Sequence, residues 1–279
     1  MYDPFITAIN TQKSAYSWFD AISENLGNIY TPGYRAKRST FADFVNGTQY
    51  SELNRKTSQG KAIPGRAPSN LFVEGEHGYF AVRNDEGKLF FTRLGDFKFN
   101  AEGTLVNEAG MKVQGYLLGE NGEVIDTGES EPSASANNPT HSSGGPGHSP
   151  TTEINLWVDP SNGKFFGKFD EYKVRSDGTV VGLANKGKTA TPLYRVALAN
   201  FVNPGGLHEV KDHLFIPTEA SGEPLAGYGE VRSGLLEQSN VKLKEQVAYL
   251  QQARLQINVT AKLISTNKNL LEEALRLIQ

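Results

Sequence analysis

The sequence predicts an α+β protein: a β-rich central domain, folded as an antiparallel sandwich or an irregular barrel, with long helices at both ends of the chain. Two observations lead to this prediction. Gly and Pro are absent over residues 5–26 and 235–279, whereas the middle of the chain alternates short apolar runs with turn residues. Helix interiors disfavour Gly and Pro, and closely spaced turns between alternating runs are typical of antiparallel strands.

The N-terminal helix is predicted to begin at Asp3-Pro4, because aspartate caps helices and proline is tolerated in the first turn. Thr31-Pro32-Gly33 is predicted to end it, because the residue before a proline avoids the α region. The apolar residues between these limits fall into two registers with a period of seven, like the a and d positions of a coiled coil. One register holds Phe5, Phe19 and Leu26, and the other holds Ala8, Ala15, Ile22 and Ile29.

The C-terminal helix shows a stronger apolar repeat after a start at Ser239 or Asn240, either of which could cap it. A large apolar residue occurs at every seventh position, and Val247 broadens the stripe: Leu243, Leu250, Ile257, Ile264, Leu271 and Ile278. The residues three positions further on, such as Gln246, Ala253 and Thr260, are small or polar. Helices of roughly 40 and 55 Å with narrow stripes cannot bury them alone. We expect the two helices to pair as a coiled coil, either only with each other or also against neighbouring subunits.

These patterns divide the chain into three parts. Residues 1–34 and 235–279 are predicted to form a discontinuous helical assembly domain, residues 35–70 an extended connector and residues 71–234 the β-rich domain. Tyr79–Val82 and Leu89–Thr92 flank a polar turn and predict a hairpin in that domain. Residues 126–152 contain no large apolar side chain, so we expect a flexible insertion there.

No catalytic or cofactor site is predicted. The chain has no cysteine and carries none of the common nucleotide-binding, nucleophile or zinc-protease motifs. His141 and His148 lie in the expected insertion, and His208 and His213 lie near a turn without an evident set of metal ligands. A net charge of −3 argues against nucleic acid or an anionic membrane as the main partner.

Membrane insertion and a cleaved signal peptide are not expected. No apolar run approaches the roughly 20 residues that span a bilayer. Met1-Tyr2-Asp3-Pro4 lacks the basic start and apolar stretch of a secretory signal. If the protein leaves the cytoplasm, we expect it to use another route.

Three segments resemble the bacterial flagellar rod and hook protein family, and they occur in the order found in that family. The first, residues 22–35, carries an Asn-rich helix end followed by Thr-Pro-Gly-Tyr: Asn25, Asn28, Thr31, Pro32, Gly33 and Tyr34. The second contains Gly78–Val82 and Phe91–Phe97. The third precedes the last helix and contains Glu237, Ser239, Asn240 and Val241. One departure is Gly27, which stands where the family usually has Ala.

The resemblance implies a structural subunit of the flagellar axial structure that assembles into a helical tube and transmits torque. Its expected partners are copies of itself, adjacent rod or hook subunits, the flagellar export apparatus and an assembly cap. Its expected location is the extracytoplasmic basal body, which spans the periplasm. A rod subunit is favoured, because the chain is too short for the additional outer domain typical of hook proteins.

A second interpretation is a secreted β-rich adhesin or glycan-binding module that is trimerised by its terminal helices. Heptad repeats serve closed trimers as well as filaments, so the helices alone do not separate the two. An enzyme acting on the cell wall, using surface carboxylates such as Asp96 or Glu102, is a third and weaker interpretation.

Overall fold

The computed structural model describes residues 4–37, 56–125, 151–156, 169–211, 213–227 and 229–278. The chain divides into two compact units. The helical unit contains Met1–Lys56 and Ser239–Gln279, and the sheet unit contains Thr57–Gln238. The second segment of the helical unit thus begins later than the predicted residue 235, because residues 235–237 form a strand of the sheet unit.

The helical unit contains α1 (Pro4–Gly27) and α2 (Leu243–Ile278), of 24 and 36 residues. A rise of 1.5 Å per residue gives lengths of about 36 and about 54 Å. Helix α1 ends before Thr31, because tight turns follow it: Thr31 N–H donates to Asn28 O, and the Thr31 hydroxyl donates to Asn28 Oδ1 at 3.0 Å. Such local side-chain bonds compete with helical geometry. Pairing of the helices as a coiled coil stays a prediction.

The sheet unit is built from short strands that pair antiparallel throughout. In chain order they are β1 (Ala62–Pro64), β2 (Leu71–Val73), β3 (Tyr79–Arg83), β4 (Leu89–Thr92), β5 (Lys98–Phe99), β6 (Leu105–Val106), β7 (Lys112–Leu117), β8 (Thr152–Glu153), β9 (Glu171–Val174), β10 (Thr179–Ala184), β11 (Thr189–Val196), β12 (Leu198–Asn200), β13 (His208–Lys211), β14 (Leu214–Ile216), β15 (Leu225–Ala226), β16 (Val231–Ser233) and β17 (Leu235–Glu237).

The main sheet follows the order β13-β14-β4-β3-β7-β11-β10-β9. Strands β12 and β15 extend from β3, and β8 and the β5–β6 hairpin extend from β7. Two further ribbons, β1 with β17 and β2 with β16, join strands from opposite ends of the unit. The predicted hairpin of residues 79–92 is confirmed as β3 paired with β4.

Two groups of apolar side chains form the core of the sheet unit. The larger includes Leu71, Phe80, Phe97, Val113 and Ile154, each at most 1% exposed. The smaller is aromatic, with Phe201 in edge-to-face contact with Tyr79 and Phe91. The α+β class is confirmed by this β-rich unit and the two helices.

Two predicted boundaries inside the sheet unit change. The connector predicted over residues 35–70 contains β1, which pairs with β17. The insertion predicted over residues 126–152 extends too far, because Thr152 belongs to β8 and pairs with Gly115. Residues 126–150, with His141 and His148, lie outside the described residues. In the part of the chain that is described, no helix has the length and apolarity to cross a membrane.

Candidate assembly site

The predicted residues of α1 lie at different depths in the helical unit. Ala8, Ala15 and Ile22 are buried, while Phe19 and Leu26 are half-buried. Beyond the helix, Ile29 packs with Tyr34, Ala36 and Val241. Phe5 lies within α1, and Ile278 is the last residue of α2.

The deeply buried positions of α2 are the small and polar ones, not the large apolar repeat. Gln246, Ala253 and Thr260 are almost fully buried. Leu250, Ile257 and Ile264 are half-buried, whereas Leu243, Val247 and Leu271 are exposed. Small side chains let helix axes approach closely, and Ala15 of α1 and Ala253 of α2 are both 0% exposed. The large residues predicted as the centre of the seam therefore lie at its edge or outside it.

A cluster of aromatic and small residues joins the two helices. Trp18, Ala21, Ile22 and Ala253 are buried together, and the ring centroids of Trp18 and Tyr249 lie 6.2 Å apart. The heptad registers did not include either aromatic residue. Each stands directly before a heptad residue, Phe19 in α1 and Leu250 in α2, so a wider stripe would have included both.

Both helices also carry large apolar side chains that are exposed in the single chain. Leu255, for example, is 65% exposed. The exposed residues of this kind on the described parts of the helices are Ile6, Ile9, Tyr16, Leu243, Val247, Leu255, Val259, Leu263, Leu270, Leu271 and Leu275. Exposed apolar surface of this extent is typical of protein–protein interfaces. Most of these residues fall outside the heptad registers.

The exposed apolar residues of α2 follow one row along the helix. Steps of four residues connect Leu243 to Leu275, and the row is interrupted only by Gln251 and Asn267. Its remaining members are Val247, Leu255, Val259, Leu263 and Leu271. Side chains four residues apart form a ridge on a helix surface. We call this row the outer apolar ridge of α2.

Asn25 organises the turn that follows α1. Its side chain is fully buried; Oδ1 accepts hydrogen bonds from the Tyr34 hydroxyl at 3.0 Å and from Lys37 N–H at 2.9 Å. Its Nδ2 donates to Lys37 O at 3.0 Å and to Gln246 Oε1 at 3.2 Å. Gly33 adopts a positive φ of 68° between the turn and Tyr34, a conformation that favours glycine. The first motif is therefore a folded turn tied to α2.

Asn240 connects two further segments of the helical unit. Its Oδ1 accepts from Ala36 N–H at 2.6 Å, and its Nδ2 donates to Lys56 O at 3.1 Å. Ser239 Oγ accepts from Val241 N–H at 3.3 Å. Because α2 begins at Leu243, neither Ser239 nor Asn240 stands at its cap, and the cap predicted there is wrong. Both residues instead shape the approach of the chain to α2.

Two ion pairs involve the lysines whose backbone groups bind Asn25 and Asn240. Lys37 pairs with Glu24, and Lys56 Nζ lies 3.1 Å from Glu245 Oε2. Hydrogen bonds from Lys242 and then Lys56 lower the pKa of the Glu245 carboxyl below its usual value. Both pairs are partly exposed, so each contributes modestly to stability.

Glu237, the remaining motif residue, belongs to the sheet unit. Its carboxylate pairs with Arg93, and both side chains are at most 2% exposed. The third motif therefore supplies a buried ion pair to one unit and the hydrogen-bonded amide of Asn240 to the other. Among the described residues, no group of three or more His, Asp or Glu side chains is placed to hold a metal ion.

The chain matches the family described as flagellar hook protein FlgE/F/G D1 domain over residues 72–182. It is 24% identical to the flagellar basal-body rod protein FlgG of Bacillus subtilis, over 97% of each chain. The FlgG protein of Borreliella burgdorferi is also 24% identical, over 90% of this chain and 89% of that protein. Together these matches support the assignment of the chain to the flagellar rod and hook protein family.

The alignment with a hook protein extends over a smaller part of the chain. The flagellar hook protein FlgE of Borreliella burgdorferi is 35% identical over 140 residues, which are 46% of this chain and 31% of the hook protein. The match to this hook protein is thus partial, whereas the matches to the two rod proteins extend over nearly the whole chain.

Proposed function

We propose that this protein is a structural subunit of the flagellar axial structure, which polymerises with copies of itself into a helical tube that transmits torque. The observation that carries the proposal is the match to basal-body rod proteins over as much as 97% of both chains. Such a match includes the terminal helices as well as the sheet unit.

A rod position is proposed in preference to a hook position. The rod proteins are covered to 89% and 97% of their length, whereas the hook protein is covered to 31%. The hook protein therefore contains a large part with no counterpart in this alignment. The adhesin interpretation finds no support among these relatives.

The outer apolar ridge of α2 is the proposed subunit interface. Leu255, Val259 and Leu263 form its uninterrupted middle, and each is more than half exposed in the single chain. Burying one such side chain stabilises an interface by roughly 1.5–3 kcal/mol. Several of them in each contact supply enough free energy for a stiff polymer. The exposed heptad residues Leu243 and Leu271 belong to the same row but face other sides of α2, because each step of four residues turns by about 40°.

The proposed route and location of the subunit in the cell follow from its proposed role in the flagellum. The subunit is proposed to leave the cytoplasm through the flagellar export apparatus without a cleaved signal peptide, and to assemble beneath a cap in the extracytoplasmic basal body. Its proposed partners are adjacent rod or hook subunits. The proposal includes no catalytic role, no cofactor, no nucleic acid and no membrane insertion.

Polymerisation of the purified chain tests the interface. The variant Leu255→Asp/Val259→Asp places two charges on the outer apolar ridge, whereas Gln252→Asp/Asn258→Asp adds the same charges at exposed polar positions of the same helix. Sedimentation and electron microscopy should show filaments for the native chain and the control but not for the first variant. Filaments formed equally by both variants would remove this ridge from the interface. A closed trimer in place of filaments would favour the adhesin interpretation.

A further inference from the structure

We propose that the Arg93–Glu237 ion pair is a latch that holds the β1–β17 ribbon against the body of the sheet unit. The ribbon is defined by β1 (Ala62–Pro64) and β17 (Leu235–Glu237), which pair with each other and form a sheet separate from the main one. The sheet unit begins at residue 57 and ends at residue 238, so these strands are its first and last. The latch thereby determines where the chain enters and leaves the unit.

The two ends of the ribbon are attached in different ways. At the Gly234 end, Gly234 N–H donates to Asn70 O at 2.7 Å, which is a backbone bond to the segment before β2. At the Glu237 end, the side chains of Arg93 and Glu237 form the ion pair, and Gln59, just before β1, also accepts from Gly75 N–H at 2.8 Å. Arg93 follows directly after β4, so the ion pair joins the ribbon to the main sheet.

Glu237 connects Arg93 to the chain segments of both ribbon strands. Its Oε2 accepts from Arg93 Nε at 3.0 Å and from Arg93 Nη2 at 2.8 Å. Its Oε1 accepts from Gly60 N–H at 3.0 Å, on the segment that leads into β1. A Cβ at Gly60 would lie 1.6 Å from Gln238 O, so the two chain segments approach closely at this end.

Arg93 uses the rest of its guanidinium to bind the turn between β2 and β3. Nη1 donates to His77 O at 2.8 Å and also to Gly78 O, and Nη2 donates to Gly75 O at 2.7 Å. Lysine could not reproduce this fork of donors. Because the turn holds the guanidinium independently of the ribbon, Arg93 is the fixed part of the latch and Glu237 is the part that can be released.

Hydrogen exchange of the purified full chain tests the latch independently of any role in the flagellum. The variant Glu237→Asp keeps the buried charge but is too short to reach Arg93 and Gly60 together. We expect amide exchange in residues 60–63 and 235–238 to accelerate at least about tenfold, with exchange in β3, β4 and β7 changing less than about threefold.

A second variant and a control complete the test. Glu237→Gln removes the charge and should release the ribbon further, and Glu237→Asp decides the outcome if Glu237→Gln does not fold. Glu230→Gln is the control, because Glu230 pairs with Arg232 on the exposed surface. Unchanged exchange in the ribbon of Glu237→Asp would overturn the proposal. Equal acceleration throughout the sheet unit would overturn it too, because the pair would then support general stability.

Discussion

Asn25 of α1 and Gln246 of α2 form a buried hydrogen bond of 3.2 Å across the contact between the two helices. Both side chains are at most 1% exposed. A buried polar pair of this kind favours one register of two packed helices, because any slip breaks the bond and takes from the buried Gln246 Oε1 the donor that Asn25 supplies. The pair therefore gives the helical unit a specific alignment that its small apolar contacts alone would not.

Replacing Asn25 should destabilise the helical unit strongly. Asn25→Leu leaves the buried groups of Tyr34, Lys37 and Gln246 without the partner they have in the native chain, and each such loss costs about 1–3 kcal/mol. We expect urea unfolding, followed by the far-ultraviolet circular dichroism of the helices, to show a loss of at least about 3 kcal/mol. Asn258→Leu, at an exposed position of α2, is the control and should change stability by less than about 0.5 kcal/mol.

Placing alanine at position 27 should stabilise α1. A Cβ at Gly27 would meet no atom within 4 Å, and Gly27 is the last residue of the helix. Alanine loses less backbone entropy than glycine, so Gly27→Ala should raise the free energy of unfolding by about 0.5–1 kcal/mol. Thermal unfolding followed by circular dichroism measures the change, and a lower midpoint would show that the helix end requires glycine.

Gly95 should not tolerate a side chain. A Cβ there would lie 1.7 Å from Leu71 O, which is backbone and cannot turn aside. We expect Gly95→Ala to cost at least about 1–3 kcal/mol, because β2 or the 94–97 segment must shift. Gly119→Ala is the matched control, since its nearest contact is the flexible Glu123 side chain at 3.4 Å. Similar urea midpoints for the two variants would contradict the close approach.

The Glu245 carboxylate should make a small, pH-dependent contribution to the helical unit. Hydrogen bonds from Lys242 and Lys56 lower its pKa in the folded state. A carboxyl whose pKa is lower in the folded state than in the unfolded state stabilises the protein at pH values above its unfolded-state pKa of about 4.3. This stabilisation is lost as the pH falls through the folded-state pKa. The free energy of unfolding of the native chain should exceed that of Glu245→Gln by about 0.2–1 kcal/mol at pH 7, and the difference should disappear as the pH falls through the lowered pKa of Glu245. A difference that grows on acidification would contradict this assignment.

The sequence predicted the helices and the β hairpin because each depends on local patterns. The absence of Gly and Pro marked α1 and α2, and the polar turn at residues 84–88 marked the β3–β4 pair. It did not predict the ribbon of β1 and β17, because two strands of three residues from opposite ends of the sheet unit leave no periodic signal.

The sequence predicted which helices form the candidate site but not which of their residues are buried. Heptad spacing located the apolar repeat of α2 but could not show that Ala253 and Gln246 lie deeper than Leu243. Burial at each position depends on how closely the helix axes approach, which is a property of both helices together. The motif residues Asn25 and Asn240 were found by resemblance, and their hydrogen bonds became visible only in the structure.

An axial structural role that depends on α2 can be tested on basal bodies isolated from a strain without the gene. The strain would be complemented with the native chain, with a chain lacking residues 241–279, or with Leu255→Asp/Val259→Asp. Electron microscopy should show truncated rods, with motility restored by the native chain alone. Intact flagella in the strain without the gene would contradict that role.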